Sequence, residues 1–243
     1  MDIIVFDVES TGLPFTRKGA PQSTYTKELK IGNQVKKIKV PYTPRGDVIQ
    51  LAYFRYSTTG EYNPQLCMCY TNPSEPISDE AIAVHGITNN DIQRLSGGTT
   101  LEAFLKDTPD TSKYFHKDGV IFVGHNIGFD MKAVNSDLQR TNNIPIDFGT
   151  QIKSLEEITN KNGRYYFDTM HVFRERLGTA FKEKFRLPRV KNPKLIEAAE
   201  FFGWTEEKLN SVLSKKIPNV SFHDARFDVL VTWLIFNKLV KLK

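Results

Sequence analysis

The chain has 243 residues, 40% hydrophobic and 25% charged, with a formal net charge of +5 and a pI of about 9.0. That length suits one large α/β domain or two small ones with a substantial core. It holds no apolar run near the ~20 residues that span a bilayer and no charged leader with a cleavage site ahead of the first strand, so a cytoplasmic protein with no membrane partner is expected. In chain order, residues 3–8 read as a strand, apolar on both faces and therefore central in its sheet. Residues 48–57 and 65–71 read as two more, joined by a turn at Thr59-Gly60. Cys67 and Cys69 share one face of the latter and are the only cysteines, which favours reduced thiols over a metal or redox site. "HGITNNDI" reads as a turn with an Asn cap, followed by short helical text to Leu105. Residues 120–124 form a buried strand and 129–140 a helix. Residues 165–168 form a short strand running into a helix over 169–177. Helices over 193–202 and 205–213 follow, with Pro and Thr as start signals, and a long apolar helix over 224–240 comes last. Strands first and strand–helix alternation afterwards predict a mixed sheet flanked by helices, in a single domain over 1–243 with a helical region over 174–221.

The charge is unevenly placed. Residues 14–47 and 174–194 each carry eight Lys/Arg against two acids, leaving a net −7 on the remainder. Two basic segments on an acidic body point either to a polyanion partner or to two solvated surface loops. The first looks inserted between the first two strands. Its "LKIGNQVKKIK", with Gly-Asn between partly alternating residues, is compatible with a hairpin arm or a disordered basic loop.

The candidate site rests on acids in apolar places. Asp7 and Glu9 share a strand face with Ile3 and Val5 and lie at the strand's carboxyl end, where open α/β sheets bind ligands. Two carboxylates that close repel and raise each other's pKa unless a cation lies between them. Asp130 falls on the stripe of Ala133, Val134 and Leu138, and Asp228 on that of Ala225, Val231, Ile235 and Phe236. A bare carboxylate on a core-facing stripe is costly unless paired or metal-bound, and no basic residue lies on either stripe. Four acids without Cys or several His fit Mg²⁺ or Mn²⁺ rather than zinc. His223, five residues before Asp228, belongs to the loop entering the helix. It either caps that helix or takes a proton near neutral pH.

Together, "FDVESTGL", "VGHNIGFD" and "HDARFDVLVTWLI" resemble, in order, the three motifs of the DEDDh 3′–5′ exonucleases. That family includes the proofreading subunit of bacterial DNA polymerase and has a ribonuclease H-like fold. "VHGIT" (84–88) and "FDTMHV" (167–172) resemble intervening family elements, so the likeness runs across nearly the whole chain. It implies a mixed five-stranded sheet flanked by helices. It also implies Asp7, Glu9, Asp130 and Asp228 as ligands of two Mg²⁺ (or Mn²⁺), Asp7 bridging them and Asp130 acting partly through water. His223 would be the general base. Thr11, Gly12 and Leu13 would meet the terminal nucleotide, Thr11 through its backbone at the 3′ hydroxyl. His85, Asn126 and Phe129 would lie near the terminal sugar and base, and His125 would be structural. The implied reaction releases nucleoside 5′-monophosphates from single-stranded or frayed 3′ ends by two-metal-ion hydrolysis.

The implied partner is single-stranded or 3′-terminal nucleic acid, DNA favoured over RNA, with a partner polymerase if the role is proofreading in replication or repair. The two basic segments would form the strand track, although the first departs from the compact family pattern. Exoribonuclease activity in RNA 3′-end trimming is the alternative. A nuclease-dead binding module is disfavoured because all five catalytic residue types are present. An aspartate-nucleophile phosphohydrolase is disfavoured because the third position of "DVE" is Glu9.

Overall fold

The structure, a computed structural model, describes residues 1–13, 23–31, 34–42, 46–57, 65–107, 109–213, 215 and 223–242. The expected turns at Gly32-Asn33 and Thr59-Gly60 lie outside these residues. Strands β1 (Asp2–Ser10), β2 (Ser23–Ile31), β3 (Gln34–Tyr42), β4 (Val48–Ser57) and β5 (Gln65–Tyr70) come first. Helices α1 (Asp79–His85), α2 (Asn89–Leu95), α3 (Leu101–Asp107) and α4 (Pro109–His116) follow. Then come β6 (Val120–Gly124), α5 (Gly128–Arg140), β7 (Thr150–Gln151), β8 (Arg164–Asp168) and α6 (Thr169–Lys184). Helices α7 (Leu195–Phe201), α8 (Glu206–Leu213) and α9 (Ala225–Leu239) complete the order. No helix of the described residues is long and apolar enough to cross a membrane.

The main sheet runs β5-β4-β1-β6-β8-β7: the five expected strands plus a two-residue edge strand. β1 pairs antiparallel with β4 and parallel with β6. Alternation along β1 sends Ile3 and Val5 to one core, under α6, α7, α8 and α9, and Ile4, Phe6 and Val8 to the other, under α3, α4 and α5. Burying a side chain such as Phe6 or Phe122 contributes about 1.5–3 kcal/mol relative to exposure. The Phe6 ring also meets Phe115, Phe122 and Phe148 at 5.6–6.1 Å.

Two local expectations change, and of the two readings of the basic insertion the hairpin arm is the one found. The cap of α2 is Thr88, in a reciprocal capping box with Asp91, and Asn89 instead accepts from the Ile77 amide at 2.8 Å. Helix α6 continues past Gly178 to Lys184. That glycine is no breaker: it lets the Val190 side chain approach to 2.8 Å of where a Cβ would stand. The basic insertion forms a second, two-stranded sheet, with β2 and β3 antiparallel from Ser23↔Tyr42 to Ile31↔Gln34.

Candidate active site

The site grows from a mismatch in strand length. β1 pairs with β6 only as far as Val5↔Val123, while its pairing with β4 continues to Ser10. Beyond Val5 one edge of β1 therefore has no strand beside it. The Val8 amide on that edge donates to Asp130 Oδ1 at 3.1 Å, from the first turn of α5. On the other face of the sheet, α9 is tied to β4 by the buried Gln50, whose Oε1 accepts from the Ala225 amide at 2.9 Å. Gln50 is also the β4 partner of Glu9, so this bond sets the start of α9, and with it Asp228, against the end of β1. A register shift between Glu9 and Ser10 turns the strand end there, as bulges beside sites do.

Asp7, Glu9 and Asp228 converge: each offers a carboxylate oxygen, all within 4.8 Å of one another. Asp228 Oδ1 is buried without a hydrogen-bond partner, and the His223 amide donates to the Asp228 carboxylate. Asp130 stands outside this trio, held to the Val8 amide, but its charge acts on Asp7. Burial pushes all four carboxyls well above the usual carboxylate range. Asp130 and Asp224 add to this at Asp7, and Asp7 and Asp228 add to it at Glu9. Arg226, at the start of α9, is committed to Asp224 by two bonds of 2.9 and 2.6 Å. A partnerless buried oxygen among mutually repelling, oxygen-only donors fits a hard divalent cation.

The other expected residues divide. His223 lies in the turn before α9, exposed, with φ 62. His85 Nδ1 accepts from the Ile87 amide at 3.0 Å, which leaves Nε2–H to donate to the Ser10 carbonyl at 3.3 Å. Burial, helped by the nearby His223, lowers its pKa to about 4, so it is a neutral donor at the end of β1. Gly12 is half-buried and Leu13 is 71% exposed beside it. Asn126 takes a left-handed conformation, φ 65, its amide donating to Asp168 at 3.0 Å. Phe129 packs half-buried on the second core. His125 Nε2 donates to the Pro193 carbonyl and Nδ1 pairs with the Thr169 hydroxyl, each at 3.0 Å; both ring nitrogens are used inside the fold.

Thr11 is bonded into the fold through both its backbone and its side chain. Its amide donates to the Asp47 carbonyl and its own carbonyl accepts from Ser78, both at 2.8 Å. Its hydroxyl donates to Glu75 at 2.5 Å and accepts from the Asp47 amide at 2.9 Å. The Thr11 amide is therefore committed to holding the loop after β1. The second basic segment is also partly committed. Arg176 donates to the Leu239, Leu242 and Lys153 carbonyls, Lys184 donates to Glu200 and Phe201 at the end of α7, and Lys191 pairs with Glu197.

Sequence reading missed Asp168 and Asp224. Each caps the helix that follows it, and each raises acids of the site. The signal was present: an Asp immediately before an apolar helical run is a cap pattern.

No protein-family model matches the chain, and no curated protein sequence matches it. Solved structures do. Exonuclease I aligns over 99% of this chain with TM-score 0.60 and 16% identity. E. coli exonuclease I in complex with a 5cy-dT13 oligonucleotide aligns over the same share with TM-score 0.58 and 16% identity. In both, the match spans 40% of exonuclease I, so the chain corresponds to two fifths of that protein. The nuclease domain of 3′hExo, a DEDDh family member bound to rAMP, aligns over 100% of this chain and 94% of its own length, with TM-score 0.53 and 14% identity. The chain thus shares the fold of exonuclease I and of the 3′hExo nuclease domain, with Asp7, Glu9 and Asp228 converging at the end of its central strand.

Proposed function

We propose that this chain is a metal-dependent 3′–5′ exonuclease that releases nucleoside 5′-monophosphates from single-stranded or frayed 3′ ends. The observation that carries this reading is the Asp7–Glu9–Asp228 convergence, with one buried carboxylate oxygen left without a partner. Those three acids would hold Mg²⁺ or Mn²⁺, two ions in all, with Asp130 anchored beside them. When bound, the ions supply Lewis acidity toward the attacking water and the leaving 3′ oxygen.

The chain's own residues do the rest. His223, exposed at the mouth of the cluster, accepts the proton of the attacking water at a ring nitrogen. Gly12 and the projecting Leu13 receive the terminal base, and His85 fixes the loop that carries them through the Ser10 carbonyl. Asn126 and Phe129, beside and within the start of α5, would meet the terminal sugar and base.

DNA is the favoured substrate, in keeping with exonuclease I in complex with dT13. RNA is the second reading, favoured by the rAMP held by the 3′hExo nuclease domain, whose length this chain matches. Incubation of the protein with 5′-labelled dT20 and rU20, in Mg²⁺ or in EDTA, tests both. A ladder of shortened 5′-labelled products in Mg²⁺ alone is expected. Intact substrate on both strands in Mg²⁺ and in Mn²⁺ overturns the proposal, and a ladder on one strand alone assigns the substrate.

A further inference from the structure

Among the described residues, the Asp79 carboxylate fastens the β2–β3 arm to the body. Asp79, the first residue of α1, accepts from the Thr26 amide and hydroxyl at 3.1 Å and from the Thr24 hydroxyl at 3.2 Å, and pairs with Lys39 at 3.4 Å. Burial opposes its ionisation, but the bonds from Thr26, Lys39 and Thr24 win and hold it below the ordinary value. The neighbouring Ser78 amide bonds the Thr11 carbonyl, and His85, at the far end of α1, bonds the Ser10 carbonyl. One short helix therefore joins the base of the arm to the loop where the candidate site begins.

Thr24, Thr26 and Lys39 lie on one face of the arm, since directly paired residues share a face. The pairs of the other face are Tyr25↔Val40, Lys27↔Ile38 and Leu29↔Lys36. Lysine and apolar side chains alternate across it. Lys27 and Lys36 are exposed, and Leu29, Ile38 and Val40 are half-buried. Among the described residues Lys27 and Lys36 make no ion pair, whereas Lys37 and Lys39 have Glu28 and Asp79. The two strands carry five lysines against one acid on a chain whose remainder outside the two basic segments is net acidic. Between β2 and the α1–α2 pair lies a cleft of ≈ 500 Å³ whose walls include Tyr25, Lys27, Glu28, Lys37, Ile82 and Asn90, with Glu28 taken up by Lys37. Cations spaced between apolar and aromatic surfaces suit the alternating phosphates and bases of a single strand.

We infer that the β2–β3 arm is a docking surface for single-stranded nucleic acid, holding the strand upstream of the 3′ end that enters the site. The position of that end rests on the exonuclease reading above. Lys27 and Lys36 meet phosphates, and the apolar residues between them receive base faces.

The test is equilibrium binding of labelled dT20 and rU20 with Ca²⁺ in place of Mg²⁺, across 50–200 mM salt. Each phosphate contact on a single strand contributes about 0.7 to the slope of log K against log salt. Lys27→Ala/Lys36→Ala should therefore lower the slope by about 1.4, so that its affinity deficit shrinks about sevenfold over that salt range. Lys27→Arg/Lys36→Arg should keep the wild-type slope. A control pair on the body, Lys208→Ala/Lys241→Ala, should also keep it. An arm variant with the wild-type slope and an unchanged melting temperature overturns the inference, as does an equal loss in the control pair. Cleavage is scored separately: a lowered slope without wild-type cleavage keeps the arm and removes the exonuclease reading. Cleavage with an unaltered slope does the reverse.

Discussion

Asp7→Asn should stabilise the metal-free protein at alkaline pH while abolishing its response to divalent ions. Three carboxylate oxygens lie within 4.8 Å of one another. At an effective dielectric of ~20, each like-charged pair at that distance costs about 3.5 kcal/mol. Full ionisation of the trio, about 10 kcal/mol, would rival the whole stability of a domain, so without a cation the cluster keeps protons. Burial and mutual repulsion raise these pKa values on folding, so the folded state binds more protons than the unfolded one. Stability then falls as pH climbs from the ordinary carboxylate range through the raised values. Removing the Asp7 charge relieves two of the three pairs. Proton uptake already relieves part of that repulsion, so the net gain at pH 8 is on the order of 2 kcal/mol, or ~4–8 °C for a chain of this size. Thermal unfolding at pH 5 and pH 8, in EDTA and in Mn²⁺, measures it. Wild type should lose stability from pH 5 to pH 8 in EDTA and regain it with Mn²⁺, whereas Asp7→Asn should lose less over that range and regain little with Mn²⁺. A variant that melts at or below wild type in EDTA at pH 8 and still responds fully to Mn²⁺ would refute the reasoning.

His223→Ala should slow cleavage at least about a hundredfold at neutral pH while leaving dT20 affinity within about twofold; unaltered turnover removes His223 as the base. Thr11→Val leaves the Glu75 carboxylate and the Asp47 amide without their shared hydroxyl and should cost about 1–3 kcal/mol in urea unfolding, with stability near wild type counting against its role as a hub. Burial raises the pKa of Asp137 to about 6, so its burden on the fold appears as pH rises through that value. Asp137→Asn, which can still accept from the Val48 amide, should stabilise by about 1–2 kcal/mol at pH 8 and by nothing measurable at pH 4.

The acids were legible because each breaks a pattern. Asp130 and Asp228 interrupt apolar helical stripes, and Asp7 and Glu9 end a strand that is otherwise apolar on both faces. Regular elements were legible for the same reason, since periodicity is local. What escaped was set by partners distant in sequence. The commitment of Thr11 depends on Asp47 and Glu75, 36 and 64 positions away, and the arm's attachment joins Thr26 to Asp79 across 53. The helix expected over 169–177 runs on through Gly178, whose meaning lies in the approach of Val190. A two-residue edge strand such as β7 has too little text to show a period.

The two bonds that place the acids span 122 and 175 residues, Val8 to Asp130 and Ala225 to Gln50. Contacts of such separation require the largest loops to close before they form. The acid cluster therefore waits on distant parts of the chain: during synthesis, a chain that has not yet reached position 228 lacks one of its walls. A divalent ion held by these acids would accordingly report that α9 has docked, and its binding energy would draw β1 and α9 together.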